Sequence, residues 1–214
     1  MIYIVDTGLN IDEFTDFSNI KFVWSPDGNY ADSLNHGTGM AKAVRQTAPL
    51  SEIGIIKNCD SDGEVTVGHL RGCLNWLMMN LRPDDKVLWC YSMHQAHVSP
   101  DIEILFQSAL DLGTWILPAG NHSGTTKDYF PANICLSRAN AYVIGCLNKA
   151  GKITQTSNTP ANGYVTGSTQ PLGEEPQSGT SVSAAYFAGM LDNPQEKYVN
   201  AINEVIEIQK IQLD

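Results

Sequence analysis

Ile2-Tyr3-Ile4-Val5-Asp6-Thr7-Gly8 is the stretch on which the reading of this chain turns. Four apolar residues run without a polar break and stop at Asp-Thr-Gly. A half-exposed strand alternates apolar and polar side chains; an unbroken run suits a strand buried on both faces. The same signature recurs at 53–56, 86–90, 114–117 and 141–147. Helical spacing fills the gaps. Leu70, Leu74, Leu77, Met78 and Leu81 fall three and four apart, as do Ile102, Leu105, Phe106, Ala109 and Leu110. Ser99 or Asp101 is placed to cap the second of these helices, with Gly113 at its C′ position. Residues 181–191 and 195–213 read as further helices, and 154–177, rich in Thr, Gly, Pro, Ser and Asn, as loops and short edge strands. Strands alternating with helices imply right-handed crossovers. The expected fold class is α/β, a three-layer sandwich with a mostly parallel central sheet. The 214 residues show no repeat and no low-complexity linker, so one domain over 1–214 is expected.

Hydrophobic residues make up 43% and charged residues 17%, a globular balance, and the net charge is −10. Such a surface repels phosphate backbones, so no nucleic-acid partner is expected. No basic segment followed by an apolar stretch opens the chain, and no run approaches a membrane span, so neither a secretory signal nor a membrane partner is expected. The five cysteines, at 59, 73, 90, 135 and 146, form no CxxC pair. They read as free thiols acting as small hydrophobes in a reducing compartment, and a cytoplasmic location is expected.

Four short motifs carry chemistry. Asp6-Thr7-Gly8 ends the first strand; an Asp there serves a turn as readily as a reaction. His36-Gly37-Thr38-Gly39-Met40-Ala41 opens a helix with glycines that admit close backbone approach. Ser178-Gly179-Thr180-Ser181-Val182-Ser183-Ala184-Ala185 sets a Ser at the mouth of a small-residue helix, where unpaired N–H groups favour a developing oxyanion. Pro118-Ala119-Gly120-Asn121 sets an Asn just past a buried strand, where a plain turn residue would also fit. Asp6 precedes His36 by thirty residues, and Asn121 precedes Ser181 by sixty. The order Asp, His, Ser is that of subtilisin, unlike chymotrypsin or the α/β-hydrolases.

On these motifs the chain resembles the subtilisin-like serine proteases, from about Ile2 to Met190. HGTGMA is similar to that family's HGTHVA, GTSVSAAYFAG to its GTSMA(S/T)PHVAG, and PAGN to its AAGN. The resemblance implies a subtilisin-like fold and a serine endopeptidase acting on a protein or peptide substrate without cofactor. It implies Ser181 as nucleophile, His36 as its base, Asp6 as the group orienting His36, and Asn121 with the Ser181 N–H as oxyanion donors. It also implies that an extended peptide pairs with Ser92-Met93-His94-Gln95, flanked by a strand near Asp62-Gly63-Glu64, with Gly120 beside the peptide and Tyr129 near the floor of the pocket for the P1 side chain.

Departures from that pattern carry expectations of their own. His94 and Gln95 stand where two glycines are usual, and with Tyr129 they are expected to narrow the P1 pocket to small side chains. Ala185 stands for a usual Pro, Tyr186 for a common His, and Gly39 for the second His of HGTH. The short segment 45–50 offers no cluster of oxygen ligands, so no calcium site of the usual kind is expected. His94 and His97 have no third ligand at suitable spacing, so no metal is expected. No inhibitory segment precedes the first strand, so the chain is expected to fold unaided or to derive from a longer precursor. Narrow specificity or a regulatory protein partner is expected to restrain it. Two other readings stand beside a protease: a gated or inactive peptide-binding module on the same fold, and an esterase or acyl transferase.

Overall fold

The computed structural model describes residues 1–14, 17–167 and 178–213. In chain order its elements are β1 (Ile2–Asp6), β2 (Ile20–Trp24), α1 (His36–Thr47), β3 (Ile53–Lys57), α2 (Val67–Asn80), β4 (Lys86–Trp89), β5 (Met93–His94), α3 (Pro100–Leu110), β6 (Thr114–Pro118), β7 (Tyr129–Phe130), α4 (Ala132–Cys135), β8 (Ala141–Leu147), β9 (Gly163–Thr166), α5 (Thr180–Asp192) and α6 (Glu196–Leu213). Seven strands form a wholly parallel sheet in the order β2-β3-β1-β4-β6-β8-β9. β5 and β7 make a separate antiparallel pair.

The five unbroken apolar runs become β1, β3, β4, β6 and β8, most of them in the centre of the sheet. Side chains alternate between its two faces. Ile2, Ile4, Leu88, Ile116 and Ile144 point to one core, where Met40 and Val44 of α1, Val182 and Phe187 of α5, and Ile202 and Val205 of α6 meet them. Tyr3, Val5, Val87, Trp89, Trp115 and Leu117 point to the other, against Leu70, Leu74 and Leu77 of α2 and Ile102 and Phe106 of α3. Trp89 and Phe106 meet edge to face with centroids 5.0 Å apart. Each large side chain so buried contributes about 1.5–3 kcal/mol. The result is an α/β sandwich with helices on both faces.

Two details differ from the sequence reading, and a short edge strand expected in 154–177 is present. β2 escapes that reading because Lys21 interrupts IKFVW and the strand, at one edge of the sheet, is partly exposed. Within the loop-rich stretch, Gly163–Thr166 forms the opposite edge; residues 168–177 of that stretch lie outside the described residues. The third helix ends at Leu110 with Asp111 as its cap, so Gly113 lies one residue beyond the expected C′ position.

Strand order also locates the site. From β1 the chain moves to one side of the sheet, through β2 and β3. From β4 it moves to the other, through β6, β8 and β9. The connections diverge between β1 and β4. The crevice this opens at the carboxyl ends of the strands is where parallel sheets bind ligands.

Candidate active site

Asp6 closes β1 at that crevice. Its side chain is 3% exposed, and both carboxylate oxygens lie on His36 Nδ1, at 2.8 and 2.9 Å. The Thr7 N–H donates to the same carboxylate at 2.7 Å, and the Cys90 thiol at the end of neighbouring β4 adds a further hydrogen bond. Burial alone would raise the Asp6 pKa. The charge of His36 and these hydrogen bonds outweigh it and hold the carboxyl below its usual value. His36 moves the opposite way. The Asp6 charge is the main cause, helped by the hydrogen bond and by Asp32 and opposed by burial, and it lifts the imidazole from 6.5 to about 9. With Nδ1 committed to Asp6, Nε2 is the nitrogen left for chemistry, and 41% of the His36 side chain remains exposed.

His36 is the first residue of α1, and the reason α1 starts there lies outside the helix. Asn35, at the N-cap, is left-handed and gives no side-chain cap. The helix N-terminus is capped instead from two other segments. Thr7 Oγ1 accepts from the Gly37 N–H at 2.9 Å, and the Asp32 carboxylate accepts from the Thr38 N–H at 2.8 Å and the Thr38 hydroxyl at 2.7 Å. Asp32 also accepts from the Thr7 hydroxyl at 2.7 Å and the Leu34 N–H at 3.1 Å. A buried carboxylate with four donors at a helix N-terminus satisfies orphan N–H groups and opposes the helix dipole. Gly37 and Gly8 make the close approach feasible: a Cβ on Gly37 would sit 2.4 Å from the Gly8 carbonyl oxygen and 3.2 Å from the Asp6 Cβ.

Ser181 is the second residue of α5, on the same face of the sheet as α1 and packed against it. Asn121 follows β6 by three residues. Its Oδ1 accepts from the Thr180 N–H at 3.0 Å and the Thr180 hydroxyl at 3.1 Å. Because a backbone N–H can only donate, the bonded end is the oxygen, and the Nδ2 donors of Asn121 are left for another acceptor. The Thr180 Oγ1 in turn accepts from the Gly120 N–H at 3.2 Å. The structure thus joins Asp6 to His36, and Asn121 to the residue before Ser181. Among the described residues no hydrogen bond joins His36 to Ser181.

Of the residues expected along a peptide groove, Met93 and His94 pair with Phe130 and Tyr129, so the expected groove strand and pocket floor are neighbours. Ser92 lies half-buried just before them. Gly120, with φ +103, packs on the amide of Asn158. Gly63 lies elsewhere, against Leu34 on the loop that leads to His36. The strand expected at 62–64 is a turn. The Asp60 carboxylate captures the N–H groups of Asp62 and Glu64, both at 2.9 Å, so they have none to give a ladder.

Sequence reasoning missed Asp32, Thr7, Thr180 and Asn158. Asn158 Oδ1 accepts from the His122 and Gly124 N–H groups at 3.0 and 3.1 Å and shapes the loop bearing Asn121. The cues were thin: an Asp four residues before His36 in a polar loop, an Asn in a Ser-Asn-Thr-Pro turn, and threonines beside the motifs. All five cysteines are free. Among the described residues no three His, Cys, Asp or Glu side chains gather to hold a metal, and no helix is long and apolar enough to cross a membrane.

The seven-stranded parallel sheet with helices on both faces defines an α/β sandwich with a buried carboxylate on an imidazole at its switch point. Solved structures share this architecture. The chain superposes on a cold-adapted subtilisin-like serine proteinase with a TM-score of 0.75 at 18% identity, covering 98% of this chain and 79% of that one. It superposes on a lanthipeptide protease with a TM-score of 0.73 at 14% identity, covering 98% and 78%. The fold is that of the subtilisin-like proteases. No family model and no curated protein sequence matches the chain.

Proposed function

We propose that this chain is a serine endopeptidase that hydrolyses peptide bonds through an acyl-enzyme, with Asp6, His36 and Ser181 as its triad and Asn121 as an oxyanion donor. The observation that carries the reading is the Asp6–His36 pair at the strand switch point, which commits Nδ1 and leaves Nε2 for a proton. The orientation of Asn121 supports it, since its amide N–H groups are free of Thr180. In this reading His36 Nε2 takes the Ser181 hydroxyl proton as Oγ attacks the carbonyl carbon. The oxyanion is held by Asn121 Nδ2 and the Ser181 N–H. As the C–N bond breaks, the imidazolium returns its proton to the leaving amine. Water, activated by the same nitrogen, then releases the acyl group and restores the Ser181 hydroxyl. An extended peptide lies along Ser92, Met93 and His94, with Gly120 and Tyr129 near the P1 side chain; the turn that holds Gly63 supplies no ladder to it.

The second reading, a gated peptide-binding module, draws on two observations. Ser181 lacks a hydrogen bond to His36 among the described residues, and the Asp6 charge holds the imidazole protonated below pH about 9. Catalytic hydrogen bonds often tighten only with substrate, which favours the protease. A fluorophosphonate probe separates the two. Labelling that rises with pH and disappears in Ser181→Ala is expected. A folded wild-type chain that binds peptides yet stays unlabelled through the His36 titration overturns the protease reading.

A further inference from the structure

His122 immediately follows Asn121, and a Cβ on Gly120 would lie 3.7 Å from its Nδ1, so its ring borders the segment that carries the proposed oxyanion donor. The surroundings of that ring are unusual. The His122 ring stacks on Tyr129, with centroids 4.6 Å apart and planes 8° from parallel. His94 meets Tyr129 edge-on at 5.7 Å, and His97 meets His94 at 5.9 Å. Two histidines from separate segments, His94 and His122, thus flank one phenol, and His97 backs His94 from its own segment. The backbone sets their places: His94 is the ladder partner of Tyr129, and the His122 N–H is fixed on Asn158.

The rings spend their faces on one another, and their polar edges remain. His94 Nδ1 accepts from the Ala96 N–H at 3.3 Å. An imidazole nitrogen that accepts carries no proton, so the His94 proton sits on Nε2, which is a donor. Tyr129 brings a hydroxyl. Of the acids nearby, Glu103 already accepts from Gln95 and Gln107, at 3.1 and 3.3 Å, and Asp128 is exposed beside exposed Lys127. A large aromatic side chain would compete with the stack for space and would desolvate its N–H and O–H edges without replacing their partners. A carboxylate would accept from them.

Resting on the active site proposed above, we infer that the P1 residue is acidic: the chain cleaves after Asp or Glu, with His94, His122 and Tyr129 reading the carboxylate. Four fluorogenic peptides that differ only at P1, as Glu, Gln, Ala or Phe, test this, with kcat/KM expressed per fluorophosphonate-labelled site. The Glu peptide is expected to exceed the Gln peptide by about tenfold, what one charge-assisted hydrogen bond supplies, with Phe the poorest. His94→Ala and His122→Ala are each expected to bring the Glu-to-Gln ratio toward one. A wild-type chain that labels but prefers Gln, Ala or Phe at P1 overturns the inference alone, as does a ratio untouched by both substitutions. A wild-type chain that does not label overturns the active site, and the inference with it.

Discussion

The two halves of the candidate site are held by different physics. Around Asp6 and His36, chain segments within the first 57 residues bring together polar groups: buried Asp6, Asp32, Thr38 and Lys57, whose Nζ donates to the Ala31 carbonyl at 2.8 Å, with half-buried Thr7 between them. Around Ser181 the described residues show fewer tethers. The α5 N-terminus has no side-chain cap at Gly179, and Thr180 ties it to the segment after β6 through Asn121 Oδ1 and the Gly120 N–H. The first half fixes charge, the second fixes position. Substitutions in the first are therefore expected to move protonation as well as rate, and substitutions in the second to move rate at constant protonation.

Removing the charge at the centre of the first half is the largest break. Asp6→Asn keeps the size of the group but pairs an amide with His36, so the wrong tautomer becomes accessible. A kcat loss of about 10⁴ is expected, the figure established for this substitution in a serine protease of another fold. The basic value of His36 should fall at the same time, visible by NMR titration of its imidazole. A large kcat loss with the His36 titration unmoved would show that Asp6 acts by packing alone.

The second half should respond more weakly and without a titration signature. Asn121→Leu removes the proposed oxyanion donor, and a loss of about 10²–10³ in kcat with KM little changed is expected, the magnitude known for subtilisin itself. Thr180→Val sharpens the comparison. It leaves the Asn121 amide bonded to the Thr180 N–H alone, so a smaller kcat loss in the same direction is expected. Equal losses from both would mean that Asn121 works through the loop and not through its own amide.

The same division explains what was legible in the sequence. Unbroken apolar runs announce β1, β3, β4, β6 and β8 because burial on both faces leaves no room for polar residues. The edge strands β2 and β9 lack that signature: one carries Lys21 and is partly exposed, and along the other buried side chains alternate with more exposed ones, so it read only as a short edge strand within 154–177. Asp6, His36, Asn121 and Ser181 stand out in the sequence because each lies near the end of an element and within two residues of a glycine. Asp32 does not. A carboxylate in a polar loop looks solvated until the fold brings Thr7 and Thr38 to it from 25 residues before and 6 after. The turn at 62–64 was misread because Asp60 bonds to its own neighbours, a local competition that resemblance to a longer groove strand conceals.

The subtlest break targets Asp32, which touches no reacting atom and acts through α1 and through its field at His36. The His36 value is raised from 6.5 to about 9, so the stability the charged pair contributes is fully present below pH 6.5 and is lost as pH rises through about 9. Activity runs the other way, since only the neutral imidazole accepts the Ser181 proton: kcat/KM should climb across that window and level off above it. Asp32→Asn removes one of the charges that raise His36, so the activity limb should move to lower pH and the stability loss across the window should shrink. It should also cost about 1–3 kcal/mol at every pH, because an amide keeps one accepting oxygen where the carboxylate has two, and either the Thr38 or the Leu34 N–H loses its acceptor. Urea midpoints at pH 6 and pH 9.5, flanking the window, together with the pH profile of kcat/KM, separate the two effects. A variant that is destabilised but keeps the wild-type activity limb would reduce Asp32 to a helix cap; a shifted limb makes it part of the apparatus that sets the charge of His36.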